Sequence, residues 1–476
     1  MTNARRRPAA PALAWRGDTV GYGELLRMAG DARARIASLG LAEGAPVGVL
    51  APKSPAAIAL ILACLLEHRP FLLPSVDLAE RTLERLFEVA GCQAVLTADD
   101  PIGQASVLTS PRSRPEAITF MLTTSGSTGL PKVVPLTEGA VDRFTDWAGE
   151  AFGLGPDSAV LNFSPLNFDL CLLDVWATLK HGGCVVLVDP DRATSSGYLR
   201  SLLAEHGVTV VQAVPMFYQL IAGATDKAFP RVEHVVITGD SIAERCLAAI
   251  PGLFPRARLY NLYGCTETND SLIHELDPAA LPQGSVPLGE PLPGVDALVV
   301  DAGGAVLTGP GDGELFVHTP FQTTGYAPPT PNDRFTAHPA GAGDHTYFRT
   351  GDLVRREPDG SLMLLGRNDF HVKVRGVRTN LQEVERVLAG HDGIAEVAVV
   401  AVPDPIGGHR LHAELRRAQG EAGGAVNSLL LKEFCAGSLP RTAIPSTIRI
   451  TDEPLPRTST GKPDRQLLIR ANTQKG

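Results

Sequence analysis

Thr123-Thr-Ser-Gly-Ser-Thr-Gly-Leu-Pro-Lys132 is the stretch on which the reading of this chain turns. Hydroxyls and glycines alternate along it, and one lysine closes the run. Ser125, Ser127 and Thr128 offer hydroxyl donors, Gly126 and Gly129 let the backbone turn its N–H groups toward an anion, and Lys132 adds a point charge. The flanks are apolar. Ile118 to Leu122 reads as a buried strand and Val133-Val134 resumes after the loop, so the loop projects from a sheet edge, where ligands bind in α/β folds. A Walker-type phosphate loop needs a lysine followed directly by Ser or Thr and then a helix. Here Pro131 precedes Lys132 and valines follow it. A plain Ser/Gly turn between hairpin strands has no need of this length, this terminal lysine and these buried flanks together.

The rest of the composition fits an enzyme of more than one domain. At 476 residues the chain exceeds what a single core fills, and 44% hydrophobic residues are ample for burial. The formal charge of −9 argues against nucleic acid as a partner, since a polyanion is repelled without a basic face. Arg5-Arg6-Arg7 is followed by a proline-broken stretch too short for a targeting core, and no run of about 18 apolar residues offers a membrane span. The 7 cysteines lack paired spacing and read as buried thiols of a reducing compartment, so a cytoplasmic location is expected.

Apolar β-branched runs alternate with amphipathic stretches, the pattern of parallel strands covered by helices. Strands are expected at Pro46 to Leu50, Cys184 to Val188, Val208 to Val211 and Val235 to Thr238, and helices at Tyr198 to Glu205 and Ala243 to Ala249. From about Val299 the texture shifts to shorter strands with Gly, Pro and Asp turns, which suggests a small barrel-like β subdomain over about 299–366. After Gly366-Arg367-Asn368-Asp369 a smaller α+β unit follows, with a helix near Leu381 to Leu388, a strand at Glu396 to Val402 and a loose loop over Gly420 to Gly424. The expectation is an α/β fold with a core over 1–366, its sheets flanked by helices, and a small mobile domain over 367–476.

Five segments, taken as an ordered set, resemble the adenylate-forming enzymes: acyl-CoA synthetases, luciferases and the adenylation domains of nonribosomal peptide synthetases. The loop from Thr124 to Lys132 is similar to their phosphate loop. Asn261-Leu-Tyr-Gly-Cys-Thr-Glu267 resembles the second ATP motif, and Tyr347-Phe-Arg-Thr-Gly-Asp352 the ribose motif. Gly366 to Asp369 with Lys373-Val-Arg-Gly376 resembles the hinge, and Ser459-Thr-Gly-Lys462-Pro-Asp-Arg465 the terminal lysine motif. The resemblance implies ATP and Mg²⁺. Glu267 would hold the metal, Thr266 would donate to a phosphate, Asn261 and Tyr263 would receive the adenine, Gly264 and Gly239 would belong to the ATP site, and Asp352, supported by Arg367, would accept from the ribose hydroxyls. Lys462 would neutralise the substrate carboxylate and the α-phosphate as they approach, and Asp369 would be the hinge. Cys265 stands where many relatives carry proline and has no base beside it, so it reads as filler rather than a nucleophile.

In amino-acid-activating members an aspartate at the position of Asp169 binds the α-ammonium group. The other reading of Asp169 is a cap on the following helix. The resemblance also gives the pocket lining as Leu170, Leu173, Gln212, Val236, Thr238, Leu262, Asp270 and Ser271. That mixed lining suits a small or medium polar side chain; Asp270 either pairs with a cationic side chain or makes a local turn bond. The chain ends soon after Lys462, so the expectation is a free-standing amino-acid adenylation enzyme serving a separate phosphopantetheinylated carrier protein in natural-product biosynthesis, antibiotic biosynthesis included. The alternative is an acyl-CoA synthetase acting on a non-amino carboxylic acid. No nucleic acid or membrane partner is expected.

Overall fold

The computed structural model describes residues 2–76, 78–98, 118–124, 131–223, 227–328, 331–367, 370–374, 377–403, 409–420, 426–436, 438–439, 443–458 and 462–473. Two compact units emerge, one of Met1–Leu298 with Phe316–Arg349 and one of Val299–Leu315 with Thr350–Gly476.

In the larger unit a nine-stranded sheet runs from edge to edge as Glu290–Pro291, Asn269–Leu276, Arg258–Cys265, His234–Thr238, Val210–Ala213, Ala159–Asn162, Cys184–Leu187, Pro11–Trp15 and Asp18–Gly21. Its central strands are parallel and buried on both faces, which is why they read as continuous Val/Ile/Leu runs rather than alternating ones. Val236, Tyr260 and Leu262 pack into a core on one face together with Leu173 and Trp176. Val211, Val235 and Ile237 pack into a second core on the other, against the helices Ser196–Glu205 and Glu244–Leu253. Each fully buried aliphatic side chain of this kind contributes about 1.5–3 kcal/mol.

A five-stranded sheet of the same unit has the order Ala94–Leu96, Val47–Val49, Phe71–Leu72, Ile118–Thr124 and Lys132–Thr137. Its neighbouring helix Pro55–Leu66 starts as its sequence demands: Ser54 Oγ accepts from Ala57 N at 3.2 Å and Pro55 takes the first turn. Thr137 Oγ1 caps Glu138–Ala151 in the same way, accepting from Ala140 N at 3.2 Å. The sequence-predicted strands and helices in this unit are all present, with ends shifted by a few residues.

A third sheet orders Asp296–Val300, Gly311–His318, Thr346–Arg356 and Phe335–Ala337, with Leu362–Arg367 paired to Thr346–Arg356. It is a curled half-barrel, and the division between the units falls inside three of its strands. The C-terminal part carries a fourth sheet, Val377–Asn380, His371–Val374, His409–Arg417 and Ile394–Pro403, with Thr447–Thr451 added beside His409–Arg417. Leu381–Ala389 begins at Asn380, whose Oδ1 accepts from Gln382 N at 2.9 Å, and buries Leu381, Val384 and Leu388 against the sheet. The expected helix near 381–388 and strand near 396–402 are both there; residues 421–424 of the expected loop lie outside the described residues. No helix among the described residues is long and apolar enough to cross a membrane.

Candidate active site

The two ends of the phosphate-loop sequence lie side by side. Thr124 pairs with Lys132 across the antiparallel strands Ile118–Thr124 and Lys132–Thr137, and Ser125, Gly126, Ser127, Thr128 and Gly129 lie outside the described residues. Lys132 sends its Nζ over the ring of Tyr326, 4.4 Å from the centroid, a cation–π contact.

The second ATP motif is a hairpin tip. Arg258–Cys265 and Asn269–Leu276 pair antiparallel with Cys265 opposite Asn269, leaving Thr266, Glu267 and Thr268 to turn the chain. Asn269 sits at φ 60°, a left-handed residue of the kind that closes three-residue turns. The register shifts between Tyr263 and Gly264, and a Cβ on Gly264 would lie 2.4 Å from Asn269 O, so only glycine fits there. Cys265 Sγ lies 3.2 Å from Thr268 Oγ1, a hydrogen bond within the turn. Asn261 Nδ2 donates to Pro287 O at 2.7 Å, which orients its side-chain amide. Gly239 follows the strand His234–Thr238 at φ 82°, turning the chain at the carboxyl end of the sheet.

A strap over residues 319–327 joins the two hairpins, a link without any periodic sign in the sequence. Thr319 Oγ1 donates to Thr268 O at 2.8 Å, and Thr323 N to Glu267 O at 2.9 Å. On the other side Thr323 Oγ1 donates to Pro135 O at 2.5 Å and Ala327 N to Val133 O at 3.0 Å. Tyr326, 4% exposed, completes the link by donating its hydroxyl to Glu267 Oε1 at 2.7 Å. Burial first, then the Glu267 charge, push the Tyr326 phenol far up, so it stays a donor. Glu267 thus presents a carboxylate with one oxygen oriented by Tyr326. No three His, Cys, Asp or Glu side chains gather into a metal site among the described residues. A cation held by Glu267 would therefore complete its shell with phosphate oxygens and water, the ordinary manner of Mg²⁺.

The expected pocket residues share a face. Strand register sets Gln212 opposite Val236 and Thr238 opposite Leu262, and two-residue spacing puts Val236 and Thr238 on the same side. That side meets the buried π-helix Leu172–Ala177, which carries Leu173. Asp169 and Leu170 lie in the turn before it. Asp169 Oδ1 accepts from Leu170 N at 3.0 Å, and the helix's N-cap position is Cys171, further on. Asp270 is half-buried; burial and the charges of Asp169 and Asp174 hold its carboxyl well above the usual range. Ser271 is different: fully buried, its hydroxyl bonds Thr268 Oγ1 and Asn269 O, both at 3.2 Å.

Two charged residues that the sequence reading passed over sit under this pocket. Asp174 is fully buried, and burial pushes its carboxyl up to about 8, opposed by hydrogen bonds from Asn162 and Gln212 and by Lys53. Lys53, 7% exposed, donates to the carbonyls of Asn162 and Phe163, each at 3.0 Å. Their signal was available: each is a lone charge in an otherwise apolar stretch.

In the smaller unit Asp352 and Arg367 face each other across paired strands, and Arg367 Nη1 lies 3.1 Å from Asp352 Oδ1. Asp352, 6% exposed, also has its N–H fixed by Thr350 Oγ1 at 3.0 Å. Asp369 lies outside the described residues. Lys462 is exposed, and its carbonyl accepts from Thr458 N at 2.8 Å. The next segment is anchored, because Arg465 Nη2 donates to both oxygens of Glu385 at 2.8 Å.

Residues 1–327 match the AMP-binding enzyme family, and residues 383–462 match the AMP-binding enzyme C-terminal domain. The chain belongs to the AMP-binding enzymes. It is an adenylate-forming enzyme of the carboxylate–AMP ligase class. It is 35% identical to the L-proline--[L-prolyl-carrier protein] ligase of Streptomyces coelicolor over 72% of this chain and 65% of that protein. It is 31% identical to phenyloxazoline synthase MbtB of Mycobacterium sp. over 99% of this chain, which spans only 41% of that relative's length. Among solved structures, the o-succinylbenzoate coenzyme A synthetase MenE of Bacillus subtilis in complex with ATP and magnesium superposes with a TM-score of 0.81. The match covers 98% of each chain at 21% identity, a likeness of fold.

Proposed function

We propose that this ligase activates an α-amino acid as its aminoacyl adenylate and passes it to the phosphopantetheine thiol of a carrier protein. The observation that carries the proposal is the acidic end of the pocket, where burial first, and then the charges of Asp169 and Asp174, hold the Asp270 carboxyl above its ordinary range. A substrate ammonium group supplies the countercharge such a cluster needs. The kinship with a prolyl-carrier-protein ligase supports the same reading.

In the reaction the substrate carboxylate attacks the α-phosphorus of ATP, the bond to the β-phosphate oxygen breaks, and pyrophosphate leaves. Catalysis is positioning plus charge stabilisation. Lys132, with Thr124 and the loop 125–129, holds the departing phosphates, and Thr266 donates to one of them. Glu267, oriented by Tyr326, is the proposed metal ligand; bound Mg²⁺ neutralises phosphate charge. Asn261 and Tyr263 receive the adenine, Gly264 and Gly239 belong to the same ATP site, and Asp352 receives the ribose hydroxyls. Lys462 neutralises the carboxylate and α-phosphate oxygens, a contribution that grows as water is excluded. Leu170, Leu173, Gln212, Val236, Thr238, Leu262, Asp270 and Ser271 select the side chain, and Asp369 serves as the hinge of a C-terminal domain over 367–476.

ATP–pyrophosphate exchange across the amino acids and a set of non-amino carboxylic acids tests this. Exchange with amino acids, lost in Asp169→Asn, is the expected result. Exchange confined to carboxylic acids lacking the α-amino group, with coenzyme A as thiol acceptor, overturns it in favour of an acyl-CoA synthetase.

A further inference from the structure

Asn162 and Gln212 stand opposite each other on the adjacent parallel strands Ala159–Asn162 and Val210–Ala213, so their side chains emerge on one face of the sheet. Between them lies the Asp174 carboxylate, carried by the π-helix. Asn162 Nδ2 donates to Asp174 Oδ2 at 3.1 Å and Gln212 Nε2 to Asp174 Oδ1 at 3.0 Å. Each nitrogen also donates to the segment that carries Asp169: Asn162 Nδ2 to Ser164 O at 3.2 Å, and Gln212 Nε2 to Leu170 O at 2.9 Å. Cys171 adds a bond at the same place, its thiol donating to Pro165 O at 3.1 Å.

We infer that Asp174 is a positioning residue that, through Asn162 and Gln212, pins both ends of the Ser164–Leu170 segment and so holds Asp169 where a substrate ammonium group binds. This rests on the amino-acid reading of Asp169.

The logic lies in donor counting. A primary amide has two N–H donors and one acceptor oxygen. Both carboxyl oxygens at 174 accept, one from each amide, so the acid takes one donor from each, fixes which way both amides face, and leaves the second donor of each for a loop carbonyl. An amide of the same size presents one oxygen and one NH₂ group in place of the two oxygens. Replacing Asp174 by Asn puts an NH₂ group against one of the two amides. That amide must flip, which turns its own oxygen toward Ser164 O or Leu170 O and breaks one of the two pins. Lys53 meets the same site from the helix start at Pro55, through the carbonyls of Asn162 and Phe163, and supplies the countercharge that lets the buried acid persist.

The test uses the full chain and pyrophosphate exchange with the most active proteinogenic amino acid and its des-amino counterpart. For Asp174→Asn the amino-acid KM should rise roughly ten- to a hundredfold, the worth of a hydrogen bond to a charged group. The KM for ATP should hold within about twofold. Preference for the amino acid over the des-amino acid should fall as it does in Asp169→Asn, and the double variant should add little to either, because both act through one contact. The exchanged pair Asn162→Asp with Asp174→Asn keeps one acid and two amides and restores the Gln212 bond to Leu170, so it should recover much of the amino-acid KM. A folded Asp174→Asn protein with unchanged amino-acid KM and preference, beside a damaged Asp169→Asn, overturns the inference alone. If Asp174→Asn does not fold, the exchanged pair decides, and effects on amino acid and ATP alike overturn the inference. An unaffected Asp169→Asn removes the amino-acid reading and the inference with it.

Discussion

Replacing Tyr326 by phenylalanine removes one hydroxyl and nothing else. The ring stays under Lys132 Nζ at 4.4 Å from the centroid and keeps its edge contact with Phe335, 5.4 Å between centroids. What disappears is the 2.7 Å hydrogen bond to Glu267 Oε1. A hydrogen bond to a charged group contributes about 1.5–3 kcal/mol, and each 1.36 kcal/mol is about a factor of ten. If Glu267 holds the metal against the phosphates, kcat/KM for ATP should drop roughly ten- to a hundredfold, with more Mg²⁺ needed for half-maximal rate. Tyr326→Leu should lose a further increment, since the cation–π contact contributes about 0.5–2 kcal/mol. Pyrophosphate exchange titrated with Mg²⁺ measures both effects, and a thermal melt checks the fold. A Tyr326→Phe enzyme whose kcat/KM and Mg²⁺ requirement stay within about twofold of the native values refutes the role given to this contact.

Other expectations are as direct. Asp270→Ala should reorder the ranking of amino acids in pyrophosphate exchange if Asp270 pairs with a cationic side chain; an unchanged ranking removes that pairing. Asp369→Pro should block transfer to the carrier while sparing adenylate formation, and equal loss of both half-reactions counts against the hinge. His234 is held below the ordinary histidine range, first by burial and then by Arg258. The unfolded chain therefore takes up the proton before the folded one, so this contribution to stability is present above the unfolded value and lost as the pH falls through the folded value. Melting temperature should fall more steeply from about pH 7.5 to about 5.5 in the native protein than in His234→Gln, and identical slopes would contradict this.

Much of the fold was legible because the central strands of the large sheet are buried on both faces and so appear as unbroken apolar runs, Val210–Ala213 and His234–Thr238 among them. The shared face of Gln212, Val236, Thr238 and Leu262 followed from strand spacing once their register was known. The strap at 319–327 was not legible, since backbone and hydroxyl bonds between distant loops leave no periodic trace in a sequence. Lys53 and Asp174 are an intermediate case. A charge inside Ala51-Pro-Lys-Ser-Pro or Leu172-Leu-Asp-Val-Trp is a burial anomaly visible in the sequence, but its partners Asn162 and Gln212 become apparent only when the strands are side by side. The Asp352–Arg367 pair was expected as a supporting contact, and its cross-strand register explains it.

In the proposed reaction an amino-acid carboxylate attacks the α-phosphorus of ATP in the site framed by Lys132, Glu267 and Asp169. Its most direct test is a single turnover with an amino acid whose carboxylate oxygens carry a heavy-oxygen label, followed by carrier transfer and mass analysis of the nucleotide and phosphate products. Label is expected in the phosphate of AMP and none in pyrophosphate. Label in inorganic phosphate with ADP as the nucleotide product, or AMP free of label, would contradict it.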